Sequence, residues 1–131
     1  LKCCGGSDNE NSRRSASRQL KEYLDEQRAG DAVVMLGDYN DEIASESPEE
    51  NPFFNFITDA TSYTFADMAI ATGSQLWWSY PSWPSHIDHI LVTNELSADI
   101  DTTVVVKASP CYPDYGEVLS DHRPVAIRII P

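Results

Sequence analysis

Between Ala29 and Val106 this 131-residue chain has no lysine and no arginine. All nine basic residues lie nearer the ends, at Lys2, Arg13, Arg14, Arg18, Lys21, Arg28, Lys107, Arg123 and Arg128, while more than half of the 21 acids fall in the gap. The formal net charge is -12. Non-specific grip on a nucleic-acid backbone comes from basic side chains neutralising phosphates. A nucleic-acid duplex is therefore disfavoured as a partner, unless a metal or another chain brings positive charge. Cysteine is scarce as well: Cys3, Cys4 and Cys111, with no Cys-x-x-Cys spacing, argue against a structural zinc site. Their plain reading is thiols in or near packed strands, with a bridge from Cys3 or Cys4 to Cys111 left open for an oxidising compartment. No apolar run has the length of a membrane span, and no cleavable signal segment is visible. The chain starts at Leu1 rather than Met, which reads as a processed product or an excised piece. A secreted or periplasmic location stays open, because a removed signal peptide leaves no trace. There is no internal repeat or low-complexity segment.

What is present suits one domain, residues 1–131, with 41% hydrophobic residues to build a core. Leu1 to Cys4 reads as the tail of a strand and Gly5 to Asn9 as a turn. Ser12 to Arg28 reads as an amphipathic helix. Ala16, Leu20, Tyr23 and Leu24 share its apolar face, the arginines and Lys21 face solvent, Asn11 or Ser12 caps it, and Gly30 stops it. Ala32 to Leu36 is a continuous apolar run, expected as a buried central strand. Asp41 to Asn51 is a polar loop, Pro52 to Ile57 a short helix, and Thr61 to Ile70 ambiguous between strand and helix. Gln75 to Tyr80, His86 to Thr93, Thr102 to Val106 and the alternating run from Val125 to Ile130 read as strands.

Three acidic stretches sit at strand ends. In Gly37-Asp38-Tyr39-Asn40-Asp41, extended spacing points Asp38 and Asn40 to one side. A carboxylate can orient a water while the amide beside it donates to a phosphate oxygen, and the plainer reading is an acidic turn. In Ser85-His86-Ile87-Asp88-His89-Ile90-Leu91, alternation puts Ile87, His89 and Leu91 on one face and His86, Asp88 and Ile90 on the other. Asp88 in an apolar strand needs a partner, and an imidazole would serve; His86 and His89 read first as packing or rim residues. In Ser120-Asp121-His122-Arg123-Pro124-Val125, His122 is a candidate general acid or base and Asp121 a candidate ligand for a hard cation, against a plain strand-entry turn.

In this order the three stretches resemble the endonuclease/exonuclease/phosphatase superfamily, the deoxyribonuclease I-like hydrolases. The match lies in Gly37-Asp38-Tyr39-Asn40, Ile87-Asp88-His89-Ile90 and Ser120-Asp121-His122-Arg123-Pro124. The resemblance implies an α/β fold, a four-layer αββα sandwich of two similar halves with a mixed, largely antiparallel sheet and helices on one face, of which this chain is the second half. It implies a metal-dependent phosphoesterase using magnesium or manganese. Asp38 would position or activate water, Asn40 would bind the phosphate, and Asp88 would orient an imidazole. Asp121, with Asp38, would serve the metal, and His122 would act in acid–base work or bind phosphate. A metal-binding Glu normally supplied by the first half has no counterpart here; Glu42, Glu46 and Glu49 lie in the loop after Asp38.

A lone half leaves a sheet face for its missing N-terminal half or for a second copy, and an incomplete metal shell predicts weak activity alone. The segment Leu76 to Pro84 holds three tryptophans and leads into the Asp88 strand. Its rings either stack on substrate at a rim, with Trp83 and His86 as binding residues, or pack over the sheet end with one or two left exposed. The expected substrate is a phosphodiester, small or lipid-like rather than duplex. The alternative is a non-catalytic fragment keeping the fold for assembly or binding.

Overall fold

A helix starts where glycine lets the chain turn: Gly6, at φ 100, is the N-cap of α1 (Ser7–Gln27). In this computed structural model, which describes residues 1–44 and 50–131, α1 thus begins five residues before the expected Ser12 and has no side-chain cap. Asp8 and Glu10 in its first turn complement the helix dipole. Leu24 is buried and Leu20 packs on the core, but Tyr23 is exposed. Arg13, expected in solvent, is only 5% exposed. Periodicity assigns a face and says nothing of a cation that folds inward to paired oxygens.

The chain continues through β1 (Val34–Asp38), α2 (Phe54–Ile57), β2 (Tyr63–Phe65), α3 (Met68–Ala71), a 3-10 turn (Gln75–Trp77), β3 (Asp88–Thr93), α4 (Asn94–Ser97), β4 (Ile100–Val105), α5 (Tyr115–Val118) and β5 (Val125–Ile129). Three strands form an antiparallel sheet in the order β1-β3-β2, and β4 pairs antiparallel with β5 in a second sheet. The two are tied where Thr103 Oγ1 donates to the Ala66 carbonyl (2.9 Å) and where β5 lies against β3. This is a mixed α/β chain with antiparallel sheets.

Several expectations change. The apolar run before Gly37 is not a central strand: β3 is central, and β1 is an edge with Leu36 70% exposed. An apolar run marks burial or an apolar surface equally well. Leu1 to Cys4 is not a strand, although the Leu1 amino group donates to the Asp38 carbonyl (2.6 Å). Gln75 to Tyr80 forms the 3-10 turn and a single bridge, Tyr80 to Ser85, because the prolines that follow cannot sustain a ladder. The ambiguous Thr61 to Ile70 segment is both β2 and the start of α3. All three cysteines are free and exposed, not packed in strands. Glu46 and Glu49 lie outside the described residues.

The core is aromatic and lies under one face of the first sheet. Tyr39 meets Phe53 at 5.1 Å between ring centroids, Phe56 meets Tyr63 at 5.0 Å, and Leu24, Phe65 and Leu91 fill the remainder. A polar exchange joins α1 to α2: Ser17 Oγ donates to Asn55 Oδ1 (2.7 Å), and Asn55 Nδ2 returns a bond to the Ser17 carbonyl (3.1 Å). No helix among the described residues is long and apolar enough to cross a membrane.

Candidate active site

The register of β1 on β3 sets Asp38 directly across from Asp88. Such partners sit about 4.5–5.5 Å apart at Cβ, and like charges there are unfavourable. Each carboxylate is eased by its own donors. Asp38 accepts from the Asn40 backbone N–H at Oδ1 (2.7 Å) and from Asn40 Nδ2 at Oδ2 (2.7 Å). Asn40 reaches back because its backbone is left-handed, at φ 54, a conformation that Asn tolerates better than most residues. The pair meets through a turn rather than through the extended spacing expected. The remaining Nδ2 proton goes to the Leu1 carbonyl (3.0 Å).

Asp88 is paired with His122, as an acid in an apolar strand requires. His122 Nδ1 donates to Asp88 Oδ2 (2.7 Å), both side chains being about a fifth to a quarter exposed. That bond fixes the tautomer and leaves Nε2 available among the described residues. The ring lies against Tyr80, 4.9 Å between centroids. Asp88 and His122 line a cleft of about 270 Å³ with Leu36, Gly37, Tyr115, Ser120 and Arg123. Asp38 lines a neighbouring hollow that shares Leu36 and Gly37 with that cleft. Asp121 is exposed, and its carboxylate has no hydrogen-bond or ion-pair partner among the described residues. Trp83 is 76% exposed and Trp77 52%, while Trp78 donates its indole N–H to the Ile70 carbonyl (3.1 Å).

His86 does not stand at the rim. It is buried, with Nδ1 accepting from the Ser79 N–H (3.2 Å) and Nε2 donating to Asp67 Oδ2 (2.9 Å). It precedes β3, so strand alternation does not govern it, and it shares Asp67 with His89, whose Nδ1 is 2.6 Å from the same oxygen. His89 Nε2 is 2.9 Å from the Asp41 carbonyl, and Asp67 Oδ1 accepts from the Ile90 N–H (2.9 Å). Burial pushes the Asp67 carboxyl up, but the bonds from His86 and His89, the charge of His89 and the Ile90 N–H outweigh it and hold Asp67 well below the usual carboxylate range.

The nitrogens and carboxylate of Asp67, His86 and His89 lie within 4.8 Å of one another, close enough to hold a metal ion. The hydrogen bonds say otherwise. Ser79 N–H holds the His86 proton on Nε2, and both nitrogens of His89 face acceptors, so the two imidazoles are placed as hydrogen-bonding partners of Asp67 and the Asp41 carbonyl rather than with free nitrogens aimed at a common ion. The cluster instead braces the backbone just after Asn40. Arg13 braces the same point, its Nε donating to Asp41 Oδ2 (2.9 Å). Ser79 ties the other side. Its Oγ accepts from the Ile87 and Asp88 N–H groups (3.2 Å each), and its carbonyl accepts from the Arg123 N–H (2.7 Å).

Asp67, Arg13 and Ser79 were not legible as site residues. The one available signal was Asp67 as the lone acid in the run from Tyr63 to Ala71, since a buried carboxylate implies a partner.

The profile of the Endonuclease/Exonuclease/phosphatase family matches residues 3–122. This chain belongs to that family. No curated protein sequence matches it. The family's hydrolases generally depend on a divalent metal, and the match covers the first two acidic stretches and ends at His122 within the third.

Proposed function

We propose that this chain is the C-terminal half of a metal-dependent phosphoesterase domain, a four-layer αββα sandwich when complete, that hydrolyses a phosphodiester by in-line attack of water. The observation that carries this reading is the Asp88–His122 pair at 2.7 Å, with Asp38 across the ladder from Asp88. Two opposed carboxylates, with the exposed Asp121 next in sequence to His122 and unpartnered among the described residues, offer oxygen donors for a hard cation. Asp38 and Asp121 would hold magnesium or manganese there, and the ion would supply positive charge to the phosphate oxygens.

The protein's own part follows from its bonds. Asp38 takes a proton from the attacking water as its oxygen bonds to phosphorus. The bond from phosphorus to the leaving oxygen breaks, and His122, entering the step as the imidazolium with its Nδ1–H held by Asp88, gives that oxygen the Nε2 proton and is left neutral. Asn40 turns an Nδ2 proton toward the phosphate, which requires it to release Leu1 or Asp38. The cleft suits a small or lipid-like ester better than a duplex, given the absence of basic residues from Ala29 to Val106.

The test is magnesium-dependent hydrolysis of a bis-aryl phosphate, with and without an added N-terminal half of the fold. Activity is expected in the reconstituted protein and little in the chain alone. A reconstituted protein inert on every phosphate ester would leave a non-catalytic assembly or binding role.

A further inference from the structure

Adjacent residues of an extended chain point to opposite sides, so Cys3 and Cys4 should not meet. Their Sγ atoms nevertheless lie 2.9 Å apart, and both residues are exposed. The cause is the backbone of Cys4, at φ 72, a left-handed conformation that residues with a Cβ rarely adopt. Nothing lies within 4 Å of where a Cβ would stand at Gly5 or Gly6, so the chain that follows the pair is open. The turn is held from within. Nη1 of the buried Arg13 donates to the carbonyls of Lys2 and Cys4 (3.0 Å each), on either side of the pair, while its Nε holds Asp41.

We propose that Cys3 and Cys4 form a vicinal dithiol–disulfide couple, oxidised by a small-molecule disulfide such as oxidised glutathione. The hydrogen bond to Cys3, then the charge of Cys3, raise the Cys4 thiol, and Cys3 is taken as the attacking sulfur. The Cys3 thiolate attacks one sulfur of oxidised glutathione. The disulfide bond breaks, and one glutathione leaves as a thiolate that takes up the proton Cys3 gave to solvent. Cys4 then loses its proton and attacks the Cys3 sulfur of the mixed disulfide, and the second glutathione leaves with that proton. Two protein thiols have lost two hydrogens, and the oxidant has gained them.

Closing the ring brings the sulfurs from 2.9 Å to a bond of about 2.05 Å. Neighbouring Cα atoms across a trans peptide are about 3.8 Å apart, less than the usual disulfide span of roughly 4.4–6.8 Å. The link is therefore easily reduced, and it works as a reversible element rather than a staple. This inference does not rest on the phosphoesterase reading.

The experiment equilibrates the whole chain in mixtures of reduced and oxidised glutathione, quenches with acid, alkylates, and digests with trypsin. Cleavage after Lys2 and Arg13 releases residues 3–13, which hold both sulfurs and exclude Cys111. The expected product is that peptide two hydrogens lighter and unalkylated, reverting on reduction, while Cys3→Ser and Cys4→Ser chains each carry one glutathione instead. A peptide that stays doubly alkylated across the whole range, carries two glutathiones, or is recovered joined to the Cys111 peptide overturns the proposal.

Discussion

Replacing Asp67 with Asn removes one charge and almost no volume, which isolates the electrostatic part of the buried cluster. The carboxylate accepts three bonds, two at Oδ2 from His86 (2.9 Å) and His89 (2.6 Å) and one at Oδ1 from the Ile90 N–H (2.9 Å). All of these partners are donors, and the residue has no exposed surface. An amide must turn its NH2 toward at least one of them, whichever way it flips. One donor then loses its acceptor, at about 1–3 kcal/mol, and the imidazole facing both Asp67 and the Asp41 carbonyl loses its counter-charge. Breaking one side of a buried pair costs about 3–5 kcal/mol in total. For a chain of this size that is a fall in midpoint temperature on the order of 10 °C or more.

Urea and thermal unfolding followed by circular dichroism measure it. An Asp67→Asn protein within about 1 kcal/mol of the wild type would refute the reasoning, because the cluster would then be neither charged nor closed. The same assay separates protons from metal. Chelator treatment is expected to leave the wild-type midpoint unchanged at this cluster, and a large loss restored by zinc would show that the three side chains hold an ion.

Further expectations follow from the same bonds. Asp67 is held below the ordinary carboxylate value of about 3.9, so its contribution is complete above that pH and is lost as pH falls below it. Acid unfolding curves are expected to show this slope, and the Asp67→Asn protein a shallower one. In the reconstituted domain, His122→Ala and Asp38→Ala are each expected to lower magnesium-dependent hydrolysis by about 100-fold or more, and unchanged rates would remove both role assignments. Asp88→Asn is expected to shift the pH–rate profile along with the rate, because it alters the His122 tautomer. Arg13→Ala strips Asp41 and two carbonyls of a buried donor and is expected to cost roughly 2–4 kcal/mol, read as a lower urea midpoint. Leu36→Glu on the exposed edge strand is expected to weaken pairing with an added N-terminal half, or with a second copy, in sedimentation measurements; unaltered pairing would exclude this face.

The acidic stretches were legible because each is local. Asp38 and Asn40 are two residues apart, and Asp121 and His122 are adjacent, so chain proximity already limits where they can go. The strand from Asp88 to Thr93 was legible from its apolar run, and the place of Asp88 within that run implied a partner, for which an imidazole was one candidate. Leu36 misled because an apolar side chain reads the same whether it fills a core or faces a partner. Arg13 misled because helical periodicity ranks faces by hydropathy, while its inward turn depends on oxygens at Lys2, Cys4 and Asp41. His86 misled because the alternation rule was carried past the first residue of the strand.

By itself the sequence determined the family, the strand that carries Asp88, and the inventory of carboxylates, amide and imidazoles, since composition and short spacing encode these. Only the tertiary structure decided which imidazole meets which carboxylate. His122 reaches Asp88 across 34 residues, and His86 and His89 reach Asp67 across 19 and 22. Hydrogen bonds are short and directional, so that choice is made by the packing of β3 against its neighbours, and no local pattern in the chain records it.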